Sequence, residues 1–164
     1  MTEILSDSHI EELITEVKSL DVNIRSKLSF KNKKAHQEAS FTVRGKQEND
    51  FCVIVRKSQI KPLNFSVILG YQPEKTNMLR LLRRYNGKSH QHRNKLPEDA
   101  SLEPFYDFHI HYATERYQQE GLKIEGYAEP TDKYFDLDTA IDCLVEQCNF
   151  EVPPASQINL LRNT

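Results

Sequence analysis

The chain has 164 residues, 38% hydrophobic and 28% charged, with seven Tyr, eight Phe and a net charge of −2. That is the size and make-up of one globular domain with a real core, and it excludes a disordered chain. No apolar run approaches the roughly 18 residues of a membrane span. The acidic start MTEILSDSHIEEL lacks the basic region of a secretion signal, so the expectation is a cytoplasmic protein with no membrane partner.

Residues 8–20 read as an amphipathic helix. Ser8 and Glu11 have capping-box spacing, and Ile10, Leu13, Ile14, Val17 and Leu20 share one face. From residue 23 the period falls to two. Ile24, Leu28 and Phe30 alternate with Lys27, Ser29 and Lys31, and Ala39, Phe41 and Val43 alternate with Ser40, Thr42 and Arg44. The runs 51–55 and 65–71 are further strands, and short polar joints predict an antiparallel meander. A fifth strand over 79–85 ends at Asn86-Gly87.

Residues 86–103 are polar and without period, so an open loop is predicted. The strand over 105–112 places Tyr106, Phe108, Ile110 and Tyr112 on one face and Phe105, Asp107, His109 and His111 on the other. One or two helical turns over 113–119 stop at Gly121, and 122–128 is irregular or a short strand. Asp136 or Asp138 caps a last helix carrying Leu137, Ile141, Leu144 and Cys148. The fold class is therefore α+β. We expect an antiparallel sheet of five or six strands with the N- and C-terminal helices packed on one face. A single domain over 1–152 is followed by a frayed tail over 153–164 that begins at Pro153-Pro154. Cys52, Cys143 and Cys148 have no metal-site spacing and read as reduced thiols.

The charge is unevenly spread. Arg80, Arg83, Arg84, Lys88, Arg93 and Lys95 lie between Glu74 and Glu98 with no acid among them. Residues 98–146, in contrast, hold thirteen acids against Arg116, Lys123 and Lys133. A basic face of this kind attracts phosphate or an acidic partner. Four of the six histidines fall in the same region, as the pairs His90/His92 and His109/His111. Imidazole titrates near neutrality, so a convergent set can supply a base and an acid, with Asp107 fixing a tautomer. Arg83, Arg84, Lys88 and Arg93 would hold phosphate, and Tyr85, Tyr112 and Tyr117 would offer aromatic surface to bases. The same histidines are also enough to ligate a transition metal.

The segment Arg84-Tyr85-Asn86-Gly87-Lys88-Ser89-His90-Gln91-His92, which follows a strand of a charged sheet, resembles the tyrosine–asparagine…lysine…His-x-His segment of TumE-type proteins. These are small toxins of bacterial toxin–antitoxin pairs. The resemblance extends loosely to the later aromatic strand and the terminal helix. It implies a bacterial or prophage element with an antitoxin protein as partner, and it assigns no catalytic residue.

Together these readings predict a toxin-like protein that acts on RNA or a nucleotide by histidine acid/base chemistry. It would be a metal-independent ribonuclease or phosphoesterase needing no cofactor. Two alternatives stand beside it. One is a non-enzymatic module that binds an acidic protein or nucleic acid through loop 80–95. The other is a protein holding a transition metal on its histidines.

Overall fold

The computed structural model describes residues 2–99 and 104–152. The tail predicted over 153–164 lies outside the described residues. Helix α1 (Asp7–Thr15) buries Ile10, Leu13 and Ile14, and its N-cap is Ser6, whose hydroxyl accepts from the His9 amide, not Ser8. It ends at Thr15 instead of continuing to residue 20. Lys18 supplies the reason. Its buried ammonium donates to the carbonyls of Leu13, Ile14, Glu16 and Cys148 at 2.8–3.0 Å, in place of another helical turn. The Glu16 carboxylate, also buried, accepts from the Gln47 and Asn49 amides and ties the helix end to a sheet turn. Val17 and Leu20 thus leave the helical stripe. Strand β1 (Lys18–Ser19) instead pairs in parallel with a strand at the far end of the chain, Phe150–Glu151.

The alternation near residue 24 predicts a strand, but the chain forms a 3-10 turn (Ile24–Lys27). Asn23 caps it by accepting from the Arg25 amide, so local side-chain bonding overrides the period. Then come β2 (Lys31–Asn32), β3 (His36–Arg44), β4 (Asp50–Ser58), β5 (Phe65–Gln72), β6 (Arg80–Asn86), β7 (His109–Tyr112) and β8 (Tyr127–Pro130). They form a seven-stranded sheet in chain order, every neighbour antiparallel. Short edge strands β2 and β8 raise the count above the five or six expected. Strand β7 is half the predicted length, because 105–108 turns away from the ladder. Helix α2 (Glu115–Gln119) ends before Gly121, which adopts a positive φ of 71°. Helix α3 (Leu137–Gln147) starts on a reciprocal Asp136/Thr139 cap, and β9 (Phe150–Glu151) completes the small parallel pair.

The two faces of the sheet differ in kind. On one face Phe51, Val53, Val55, Val67, Leu69, Tyr85 and Ile110 join the buried stripes of α1 (Ile10, Leu13, Ile14) and α3 (Ile141, Leu144) in one cluster. The other face, traced through the register, carries the rows Ile54–Ile68–Arg84–His111–Ala128 and Arg56–Ser66–Asn86–His109–Pro130. No described helix is long and apolar enough to cross a membrane.

Candidate metal centre

Alternation sends His109 and His111 of β7 to the second face, beside Asn86 and Arg84 of β6. Residues 87–96, joined by Phe105, then close over them. Gly87 starts the return: its amide and that of Lys88 bond to the carbonyls of Phe65 and Leu63, and any side chain at 87 would overlap the Leu63 carbonyl. Along residues 91–96 burial alternates: His92, Asn94 and Leu96 are covered, and Gln91, Arg93 and Lys95 are exposed. The backbones of His92 and Phe105 exchange two hydrogen bonds of 2.8 and 3.1 Å. The Asn94 side chain donates to the Ala128 carbonyl and accepts from the Ala128 amide, pairing the open edge of β8 as a strand would. Where an open loop was expected, this segment is a tethered cover. Its alternating inward side chains are polar or single, so no hydrophobic period announces them.

Under the cover three histidines converge. The ring of His92 stacks on His109 at 5.4 Å and meets His111 edge-on at 4.8 Å, and the His109 and His111 rings are 5.1 Å apart. One ring nitrogen from each lies within 4.8 Å of those of the other two. His109 is fully buried and the other two are half-buried.

Neighbouring groups fix the tautomers. His109 Nδ1–H donates to the Asp107 carbonyl at 2.9 Å, and His111 Nδ1–H donates to the Glu125 carbonyl at 2.8 Å. Each Nε2 therefore carries the lone pair. A second observation agrees for His109. Asn86 Oδ1 accepts from Ser66 Oγ and Arg84 Nε, which turns the Asn86 amide nitrogen toward His109 Nε2 at 3.3 Å as a donor. At His92, Nε2–H donates to Asn94 Oδ1 at 2.9 Å, because Ala128 already sets the orientation of that amide; the lone pair is on Nδ1. All three rings are thus held with one N–H committed and one lone pair uncommitted or weakly held.

Burial keeps these rings neutral. It lowers the pKa of His109 to about 4, aided by His92, His90 and Arg84 and opposed by the Asp107 carbonyl. Burial, then His109 and His92, brings His111 down to about 3. Burial lowers His92 as well, with His90 contributing and the Asn94 bond opposing.

A cavity of about 290 Å³ opens beside the rings, lined by Arg84, His90, His92, Arg93, Lys95, His111, Lys123 and Glu125 among others. Of the residues expected from sequence, His92, His109 and His111 come together, His90 stands at the rim with its ring 5.5 Å from His109, and Arg84 and Arg93 reach the cavity. The others do not. Asp107 serves through its backbone carbonyl while its side chain is exposed, because β7 begins only at His109. Arg83, one residue from Arg84, emerges on the opposite face. There it stacks on Tyr112 at 4.6 Å and donates to Gln147 of α3, so it is a core residue and no phosphate ligand. Tyr85 lies on that same face with its hydroxyl on Gln147, and Tyr112 lies under Arg83, so neither offers a surface to bases. Tyr117 lines the cavity but is fully buried, its hydroxyl donating to Asp99. Lys88 is exposed and outside the cavity lining.

Sequence reading missed Asn86, Asn94, Glu125 and Lys123. Asn86 and Asn94 had a local signal, each lying within two residues of an expected site residue. Glu125 and Lys123 had none, since they arrive from the irregular 120–126 segment.

Neither a curated protein nor a solved structure matches the chain. Residues 5–151 match the profile of DUF6978, described as a family of unknown function. The matched span contains both terminal helices, the whole sheet, the cover and every histidine of the cluster. The chain belongs to the DUF6978 family.

Proposed function

We propose that this protein binds a divalent transition metal, zinc or a neighbouring ion, on His92, His109 and His111, with a fourth position open to the cavity. The observation that carries the reading is the second layer of hydrogen bonds. Each ring commits its other N–H to a carbonyl oxygen, of Asp107, Glu125 or the Asn94 amide. That is how metal-ligating histidines are oriented and made basic. Around a tetrahedral ion with metal–nitrogen bonds of about 2.0–2.1 Å, ligand nitrogens stand roughly 3.4 Å apart. One nitrogen of each ring already lies within 4.8 Å of the others, so metal binding would draw the rings closer and release the 3.3 Å Asn86 contact. Three protein ligands with a solvent-facing fourth position is the arrangement that binds and activates a water or a substrate oxygen.

The acid/base alternative fits the same rings less well. A general acid must be protonated near neutrality, and burial holds His109 and His111 well below that range. A toxin role is compatible with either chemistry and rests on the 84–92 resemblance.

Metal analysis of the purified chain separates the readings. The metal reading expects about one tightly held ion per chain, removed by a chelator and absent from His109→Ala and His111→Ala. Wild-type protein that takes up no zinc, nickel, cobalt, copper or iron beyond the level of those variants defeats it. Nuclease activity that survives the chelator would restore the acid/base reading.

A further inference from the structure

Resting on the metal reading above, we infer that the open coordination position takes an oxygen of a phosphate group, whose remaining oxygens are held by Arg84, Arg93, Lys95 and Lys123. These four side chains line the 290 Å³ cavity together, against a single acid, Glu125. Among the described residues none of the four makes an ion pair, whereas Arg25, Arg44, Arg56 and Arg116 do. Arg84 is the built part of the site. It comes from the middle of the sheet rather than from a loop, is half-buried, and is aimed by two hydrogen bonds, Nε to Asn86 Oδ1 at 2.9 Å and Nη2 to Ser66 Oγ at 3.2 Å. A half-buried guanidinium that no carboxylate bonds directly is held at a cost in free energy that an anionic ligand returns. Arg93, Lys95 and Lys123 are exposed at the mouth and add charge without needing fixed geometry.

The choice of phosphate over a carboxylate follows from number and placement. Several cations from separate segments (β6, the cover and the 120–126 turn) surround the opening, as a tetrahedral dianion with several acceptor oxygens requires. One bidentate arginine would be enough for a carboxylate. Glu125, 7% exposed and making no side-chain hydrogen bond among the described residues, lies on the same cavity wall. Its charge offsets part of the cationic field at the opening.

Titration calorimetry of inorganic phosphate into the metal-loaded full chain tests this, with chloride at matched ionic strength and acetate as controls. Metal content is measured on the same sample. The inference expects phosphate to bind at least about tenfold more tightly than acetate. The triple change Arg93→Gln, Lys95→Gln, Lys123→Gln should weaken phosphate about tenfold or more while leaving the metal stoichiometry alone, since these exposed groups touch no histidine partner. Metal bound with no phosphate affinity, or with phosphate and acetate alike, overturns the phosphate site and leaves the metal centre standing. Phosphate bound equally by the triple variant overturns the role of the cations. A chain that takes up no metal removes both readings at once.

Discussion

Arg83 and Arg84 are adjacent in the chain, and so are His111 and Tyr112, yet each pair is split between two environments. Arg83 and Tyr112 stack on the helical side of the sheet, next to Gln147 of α3. Arg84 and His111 are register partners on the other side, in the histidine cavity. One face buries apolar side chains on two helices and carries most of the stability. The other buries neutral imidazoles, an amide and a guanidinium under a single extended cover, where each polar atom must be paired to be tolerated. The contrast teaches that this sheet separates a stability face from a chemistry face, and substitutions on the two should have separable effects.

Among single substitutions the largest effect belongs to the helical face. Leu144→Ala removes a fully buried side chain from α3, and by the usual cost of such cavities it should destabilise the fold by about 2–5 kcal/mol in denaturant titration. Metal stoichiometry of the folded fraction should stay at the wild-type value. A parallel loss of metal would show that the faces are not independent.

The chemistry face should announce itself by pH. In the metal-free protein His109 and His111 stay neutral down to about 4 and 3, whereas in the unfolded chain they protonate near 6.5. The unfolded state then binds more protons over that interval. Stability is at its full value above about pH 6.5 and falls as the pH drops toward 4, at up to about 1.4 kcal/mol per pH unit for each ring. Melting temperatures of His111→Gln should show a shallower acid slope. An identical slope would place the acid sensitivity elsewhere.

Asn94→Ala probes the second layer without touching a ligand. It frees His92 Nε2 and the Ala128 backbone, and metal affinity should fall about 10–100-fold, measured by competition with a chromogenic chelator. Unchanged affinity would mean that His92 needs no orienting partner, which weakens its assignment as a ligand.

The smallest effect is expected from Tyr85→Phe. Its hydroxyl donates to Gln147 at 2.7 Å on the helical face, and losing that bond should cost about 0.5–1.5 kcal/mol with no change in metal or phosphate binding. Any change in phosphate affinity would argue against the separation of the faces.

What was legible beforehand follows from what is local. A period of two located β3 to β6 within a few residues and put His109 and His111 on one side of β7, since alternation is a property of the strand itself. The stop at Gly121 and the Asp136 cap were legible for the same reason, each being decided within one turn of chain. Where a nearby side chain competed for the backbone, periodicity misled: Asn23 made a turn of a predicted strand, and Lys18 cut the first helix short.

Local pattern was enough to specify an antiparallel α+β fold and a region dense in histidines and cations. Tertiary structure alone decided which of them meet. The side of the sheet on which Arg83 and Arg84 emerge depends on where the two helices pack. The meeting of His92 with His109 depends on the pairing of His92 with Phe105 and the docking of Asn94 on Ala128. Contacts of that kind join residues far apart in sequence, and no local pattern encodes them. A cluster of histidines is written in the chain, but three rings in contact, each with one N–H committed, exist only with the cover in place.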